Sequence, residues 1–194
     1  MSEDLARPPA PDRPLLRGER VWLRPMEERD LPASIASIND TEVGLWAGYR
    51  MPVSLEMATA WHQRNLEQMR SGEAFYFAVC EVGDDRYIGT TWFKEINRLD
   101  GNAELAISMD RDHIGSGWGS DTQRTLLAFG FGTLGLNRVW LVVSADNARA
   151  IRSYEKVGFR REGVMRNAFR LRGRLTDMHL MAVLREEWEA AQGG

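Results

Sequence analysis

The sequence predicts an α/β fold of the α+β kind, with about seven strands and about four helices, and three observations predict it. Between Ala74 and Asp110 the hydrophobic pattern turns to alternation in three successive runs, AFYFAVCEV, RYIGTTWFKEI and NAELAISMD, which read as a three-strand meander. On either side of it lie segments whose apolar residues recur at spacings of three and four, the period of helices packed on one face. Further on, NRVWLVVS is a near-continuous apolar run, typical of a strand covered on both faces.

In chain order, Met1 to Pro14 is read as a mobile tail, because its prolines and charges leave little to bury. Arg20 to Arg24 alternates apolar and charged residues as a short strand closed by Pro25. Glu28 and Asp30 then open a helix along Leu31, Ile35 and Ile38. NDTEVGLWAGYRMPVS has no helical or strand period and reads as a loop, whose Trp46 and Tyr49 either line a pocket or cap a core. Ser54 is an N-cap with Met57 at N3, and Gly72 is the matching stop. After the meander, a helix through Leu127, Phe131 and Leu134 leads to the apolar strand. ADNARAIRSYEKVGF is a helix capped by Asp146 or Asn147 and ended by Gly158, and the remainder reads as a hairpin around Gly173 with a short helical end.

Two stretches carry candidate chemistry. In the third meander strand Leu105, Ile107 and Met109 share one face and Glu104, Ala106 and Ser108 the other, so a single carboxylate stands beside two small residues that leave room for a ligand. The same pattern also suits an exposed edge carboxylate. The stretch IGSGWGSD places Gly115, Gly117 and Gly119 before a helix, so bare backbone N–H groups and the positive end of the helix offer a phosphate site. Tight turns needing positive φ would look alike. No Lys occurs between Lys94 and Lys156, which excludes a P-loop, and no acid stands about 20 residues on to hold a dinucleotide ribose. A ligand held by its pyrophosphate remains. On the following helix Asn147, Ala150 and Tyr154 lie on one face, and Tyr154 serves either the site or the core.

At 194 residues, with 43% hydrophobic and 27% charged residues, the chain suits one domain with a full core, assigned to residues 15–194. A net charge of −3 argues against a devoted nucleic-acid binder. The one cysteine, Cys80, lies in an apolar run, reads as core, and suits a reducing cytoplasm. No basic start with an apolar run marks a secretory signal, and no apolar stretch is long enough to span a bilayer.

From about Leu16 to Trp188 the order of elements resembles the GNAT superfamily of acyl-CoA-dependent N-acyltransferases, and within it the RimJ/RimL-type branch. GSGWGSD is similar to the branch's pyrophosphate loop, NARAIRSYEKVGF to its Asn and Tyr helix, REGVMRNAFRLRGRLTDMHLMAVLREEW to its closing hairpin, and LRPMEERD to its beginning. The resemblance implies a mixed, mostly antiparallel sheet splayed between the fourth and fifth strands, with acetyl-CoA as cofactor. It implies that the backbone of Ile107, Ser108 and Met109 pairs with the pantetheine arm. Ile114, Gly115, Ser116, Gly117, Trp118, Gly119, Ser120 and Asp121 would cradle the pyrophosphate. Asn147 would bond the pantetheine, Tyr154 would act as general acid near the sulfur, and Glu104 would act through water as general base. Relatives usually carry Gln or Arg where this chain has Ile114, which implies a weaker phosphate contact through the backbone alone.

The expected reaction is acetyl transfer to a primary amine of a small molecule or to a protein N-terminus. The amine attacks directly in a ternary complex, without an enzyme nucleophile, metal, nucleic acid or membrane, and a homodimer is compatible with it. His113 is the alternative base. The competing reading is a non-catalytic acyl-CoA binder of the same fold, with a nucleotide-binding oxidoreductase more distant. Arg160, Arg161, Arg166, Arg170, Arg172 and Arg174 crowd the last hairpin, which either selects amines bearing an acid or is merely solvated.

Overall fold

The computed structural model describes residues 16–49 and 52–192. The tail expected from Met1 to Pro14 lies outside the described residues. Among the described residues eight strands form one sheet: β1 (Leu16–Arg17), β2 (Val21–Pro25), β3 (Phe75–Glu81), β4 (Tyr87–Asn97), β5 (Asn102–Met109), β6 (Arg138–Ser144), β7 (Arg160–Leu171) and β8 (Arg174–Leu184). Their order across the sheet is β1-β2-β3-β4-β5-β6-β8-β7, and only β5 and β6 run parallel. The helices are α1 (Leu31–Ile38), α2 (Val43–Trp46), α3 (Leu55–Ser71), α4 (Trp118–Gly132), α5 (Ala148–Lys156) and α6 (Arg185–Gln192).

Two elements escaped the sequence. β1 is too short to show a period, and it exists because Leu16 and Arg17 pair with Leu23 and Trp22. α2 is a single turn in the stretch read as loop, begun where the Asp40 carboxylate accepts from the N–H groups of Glu42 and Val43. Locally coded ends appear as expected. Ser54 Oγ accepts from Met57 N at 3.2 Å, and Gly72 closes α3 at φ 74°. The motif LRPMEERD becomes a clasp, in which Arg24 grips both oxygens of Asp30 at 2.7 Å and bonds Asp85 at 2.5 Å, all three buried.

α4 and α5 pack with the main core on one face of the sheet, around Phe93, Leu105, Leu126, Leu127, Leu141 and Met181. α1 and α3 enclose a smaller core of Leu31, Val53 and Ala58 on the other side. There Tyr49 packs on Trp61, 5.9 Å between ring centres, so this aromatic caps a core. The functionally important feature is where the sheet parts. β5 and β6 pair only at Asn102–Arg138, Ala103–Val139 and Glu104–Trp140, although β5 continues to Met109 and β6 to Ser144. Beyond Glu104 the facing edge of β5 therefore has no strand partner, and a cleft opens through the sheet.

Candidate active site

A cavity of about 740 Å³ occupies this cleft, reached by the glycine loop at one end and by α2 and the β7–β8 hairpin at the other. Glu104 lines it, on the last residue of β5 that still pairs with β6. The Glu104 side chain is buried, not at an exposed edge, and Lys94 Nζ on the neighbouring strand stands 3.1 Å from its Oε1. Burial pushes the Glu104 carboxyl above its ordinary value, with Lys94 pulling in the opposite direction. A carboxylate so placed is a better proton acceptor than one in water, and Lys94 opposes part of that rise.

Tyr154 reaches the cavity from α5, edge-on to Phe159 at 5.7 Å between ring centres. Its hydroxyl has no hydrogen-bond partner among the described residues, so it is not a tied-off core tyrosine. Burial pushes its phenol up to about 12, which holds the proton on oxygen throughout the neutral range. Asn147 caps α5, its side chain accepting from Ala150 N at 3.1 Å, and it too lines the cavity. Cys80 is a contrast: it is buried outside the cavity, its thiol pushed up to about 12 by burial, and it is no nucleophile.

At the far end, Gly115 and Gly117 hold φ of 89° and 90°, and Gly117 is the N-cap of α4 without any side-chain cap. None of the backbone N–H groups from Gly115 to Ser120 donates to a described residue. A row of uncommitted amides at a helix N-terminus is a donor set for phosphate oxygens. Ile107 and Met109 lie beneath the first turn of α4, within about 4 Å of where a side chain at Gly119 would begin. These are ordinary packing distances, so a small side chain there would still fit between helix and strand.

Among the candidate residues, Ile107, Ser108, Met109, Ile114, Gly115, Gly117, Gly119, Ser120, Asn147, Glu104 and Tyr154 all line the one cavity. Ser116, Trp118 and Asp121 do not. The Ser116 carbonyl accepts from the Arg20 guanidinium, which lies 4.8 Å over the Trp118 ring, so both residues brace the loop from behind. Asp121 turns away altogether. Its N–H bonds to the Gly117 carbonyl, and its carboxylate accepts from the N–H groups of Glu19, Arg20 and Val21 at 3.3, 2.8 and 3.1 Å. It is a rivet between α4 and β2. His113 lines the cavity beside the loop with its ring 2.5 Å from an Asp110 oxygen.

Other lining residues carried no signal of their own in the sequence. Ser153 on α5 meets Ser120 Oγ at 3.1 Å and Gln123 Nε2 at 3.2 Å on α4, tying the two helices that flank the cleft. Arg152 and Lys156, one turn apart on α5, also line the cavity, and neither forms an ion pair with a described residue. Their spacing of four was visible, but only packing shows which way that face looks. The arginines of the last hairpin, by contrast, line no part of the cavity. Three of the six are ion-paired, Arg160 with Glu187, Arg161 with Glu155 and Arg174 with Asp146.

Residues 20–160 match the acetyltransferase (GNAT) domain family. The chain belongs to the GNAT family. It is 29% identical over 170 residues to an uncharacterized N-acetyltransferase of Bacillus licheniformis, covering 88% of this chain and 96% of that one. To spermidine N(1)-acetyltransferase of Escherichia coli it is 25% identical over 171 residues, with 88% and 89% covered. Its fold superposes on the structure of spermidine N-acetyltransferase from Vibrio cholerae in complex with CoA and spermine. That match has a TM-score of 0.79 at 24% identity over 87% of this chain and 98% of the other. The protein is thus a GNAT N-acetyltransferase with acetyl-CoA as cofactor, and its cleft fits that group: the free loop amides would hold the pyrophosphate, and the open edge of β5 would hold the pantetheine arm. No described helix is long and apolar enough to cross a membrane.

A test of the loop follows from Gly117. Valine there is strained by a φ of 90° and places its Cβ 3.6 Å from the Arg20 guanidinium. Gly117→Val is expected to weaken CoA binding by about tenfold or more and to remove most of the CoA-induced rise in Tm. Calorimetric titration with CoA checks it, and an unchanged Kd would show that the loop is only a turn.

Proposed function

We propose that this GNAT enzyme acetylates the primary amine of a small molecule by direct transfer, with Glu104 as general base and Tyr154 as general acid. Acetyl-CoA supplies the acetyl group on a thioester. The observation that carries the reading is one cleft holding a buried carboxylate and an unpartnered neutral phenol between free loop amides and an open acceptor end. An amine arrives largely protonated near pH 7, and Glu104 takes that proton, directly or through one water, before the nitrogen reacts. Tyr154 Oη holds a proton for the departing sulfur. Ser108 and the loop from Ile114 to Ser120 orient the cofactor along the open edge of β5. Small-amine relatives, the spermidine acetyltransferases among them, support an acceptor of that kind. The GSGWGSD and NARAIRSYEKVGF motifs favour the RimJ/RimL-type branch, and a cytoplasmic enzyme formed by one domain over residues 15–194 is the simplest assignment.

Release of CoA from acetyl-CoA across a panel of amines and N-terminal peptides tests the proposal. Turnover with a small amine above the rate of hydrolysis is expected. Binding of acetyl-CoA without turnover of any amine would refute it. Lys94 gives a sharper check on Glu104. Removing the cation leaves burial unopposed, so Lys94→Met raises the Glu104 carboxyl further. A base works only when deprotonated, so the acid limb of kcat should move to higher pH, and activity below neutrality should fall. A pH–rate profile unmoved by Lys94→Met would mean that the limb belongs to another group.

A further inference from the structure

The acceptor end of the cleft is walled by rings. Strand register places Trp92 opposite Ala106 and Lys94 opposite Glu104, so these four side chains share one face of the sheet. Tyr76 stacks on Trp92, 6.2 Å between ring centres, and fixes its plane. Trp46 at the end of α2, Phe169 on β7 and Met178 on β8 line the same cavity. α2 and the hairpin meet there: a Cβ on Gly48 would lie 3.8 Å from Phe169 Cε2.

Charge at this end is scarce. Among the described residues lining the cavity, Glu104 is the sole carboxylate, and Lys94 already neutralises it at 3.1 Å. Asp40 and Glu42, at the corner between α1 and α2, are held by Arg111 at 3.2 Å each, and Glu42 also by Arg149 at 3.4 Å. A polyamine brings several ammonium groups, and each one desolvated without a carboxylate is costly. A single ammonium is a different case. It can lie over an indole face while charged, lose its proton to Glu104, and leave an apolar body packed against Trp46, Trp92 and Phe169.

We propose that the acceptor is a monoamine whose reacting nitrogen is carried on an aromatic or bulky apolar body, and that polyamines are rejected. The proposal rests on the N-acetyltransferase reading above. It is tested by comparing kcat/KM for tryptamine and 2-phenylethylamine with that for n-butylamine, spermidine and spermine. The arylalkylamines should exceed the polyamines by about tenfold or more, the scale set by one well-packed ring. Trp92→Ala should raise KM for tryptamine by about tenfold and KM for n-butylamine by clearly less, and Trp92→Phe should restore most of the loss. Trp46→Ala is the second variant, with the CoA-induced rise in Tm showing that each variant is folded. Spermidine, spermine or an N-terminal peptide preferred over the arylalkylamines would overturn the inference and leave the acetyltransferase reading standing. If acetyl-CoA binds and no amine at all is acetylated, that reading fails, and this inference fails with it.

Discussion

Glu104→Gln is expected to lower kcat by about 10²-fold or more at neutral pH, the scale of general-base catalysis, with CoA affinity nearly unchanged. Glutamine keeps the shape and can still approach Lys94, but it accepts no proton. Raising the pH should restore part of the rate, because more of the amine then arrives deprotonated and needs no base. Tyr154→Phe should also lower kcat, without alkaline rescue. The phenol is held protonated up to about 12, so a free amine does nothing to replace the proton it would have donated. The two pH profiles should therefore diverge as pH rises. Full activity of Glu104→Gln at neutral pH would move the base elsewhere, with His113 beside the loop next to be tested.

The second large effect is on stability. Asp121→Ala removes a carboxylate that is 3% exposed and accepts from three consecutive backbone N–H groups leading into β2. Those donors would be left unpaired, or reachable only by water, where α4 meets the strand. The expected loss is about 3 kcal/mol, from stranded donors and a lost charge-assisted network, which at this chain length lowers Tm by roughly 10 °C. Because the Asp121 carboxylate does not face the cleft, the protein that stays folded should keep its kcat. Asp121→Asn, which retains one acceptor oxygen, should lose less. An unchanged Tm for Asp121→Ala would mean that β2 is held by its pairing to β3 alone. Gly18 belongs to the same contact: a Cβ there would fall 2.6 Å from the Asp121 carboxylate and 2.5 Å from the Thr125 hydroxyl.

Much of the site was legible in the chain because its parts are local. Asn147 capping α5, the positive-φ glycines before α4, and the alternation that sets Glu104 apart from Leu105 each depend on a few successive residues. The Ser54 cap and the Gly72 stop are of the same kind. So is the order of strands and helices, whose periods of 2 and 3.6 are written in the apolar pattern. From these the sequence by itself determined the order of strands and helices and the glycine loop, while the acyltransferase fold and the roles of Glu104 and Tyr154 came from the resemblance of its motifs to the GNAT superfamily.

Tertiary structure alone decided what those residues meet. Lys94 and Glu104 are neighbours only because β4 and β5 pair in one register, with an irregularity beyond Lys94 that no alternation pattern reveals. Asp121 sits within the loop motif, yet it is engaged by Glu19, Arg20 and Val21, about 100 residues earlier in the chain. Ser116 and Trp118 are likewise turned to Arg20, and three of the hairpin arginines, Arg160, Arg161 and Arg174, are ion-paired outside the cavity. Trp46 and Tyr49 had the same standing in the sequence, but the turn of α2 sends one into the cavity and the other onto Trp61. The physical reason is common to all of them: period and capping depend on a residue's own neighbours, whereas burial, ion pairing and the direction of a side chain depend on what the folded chain brings against it.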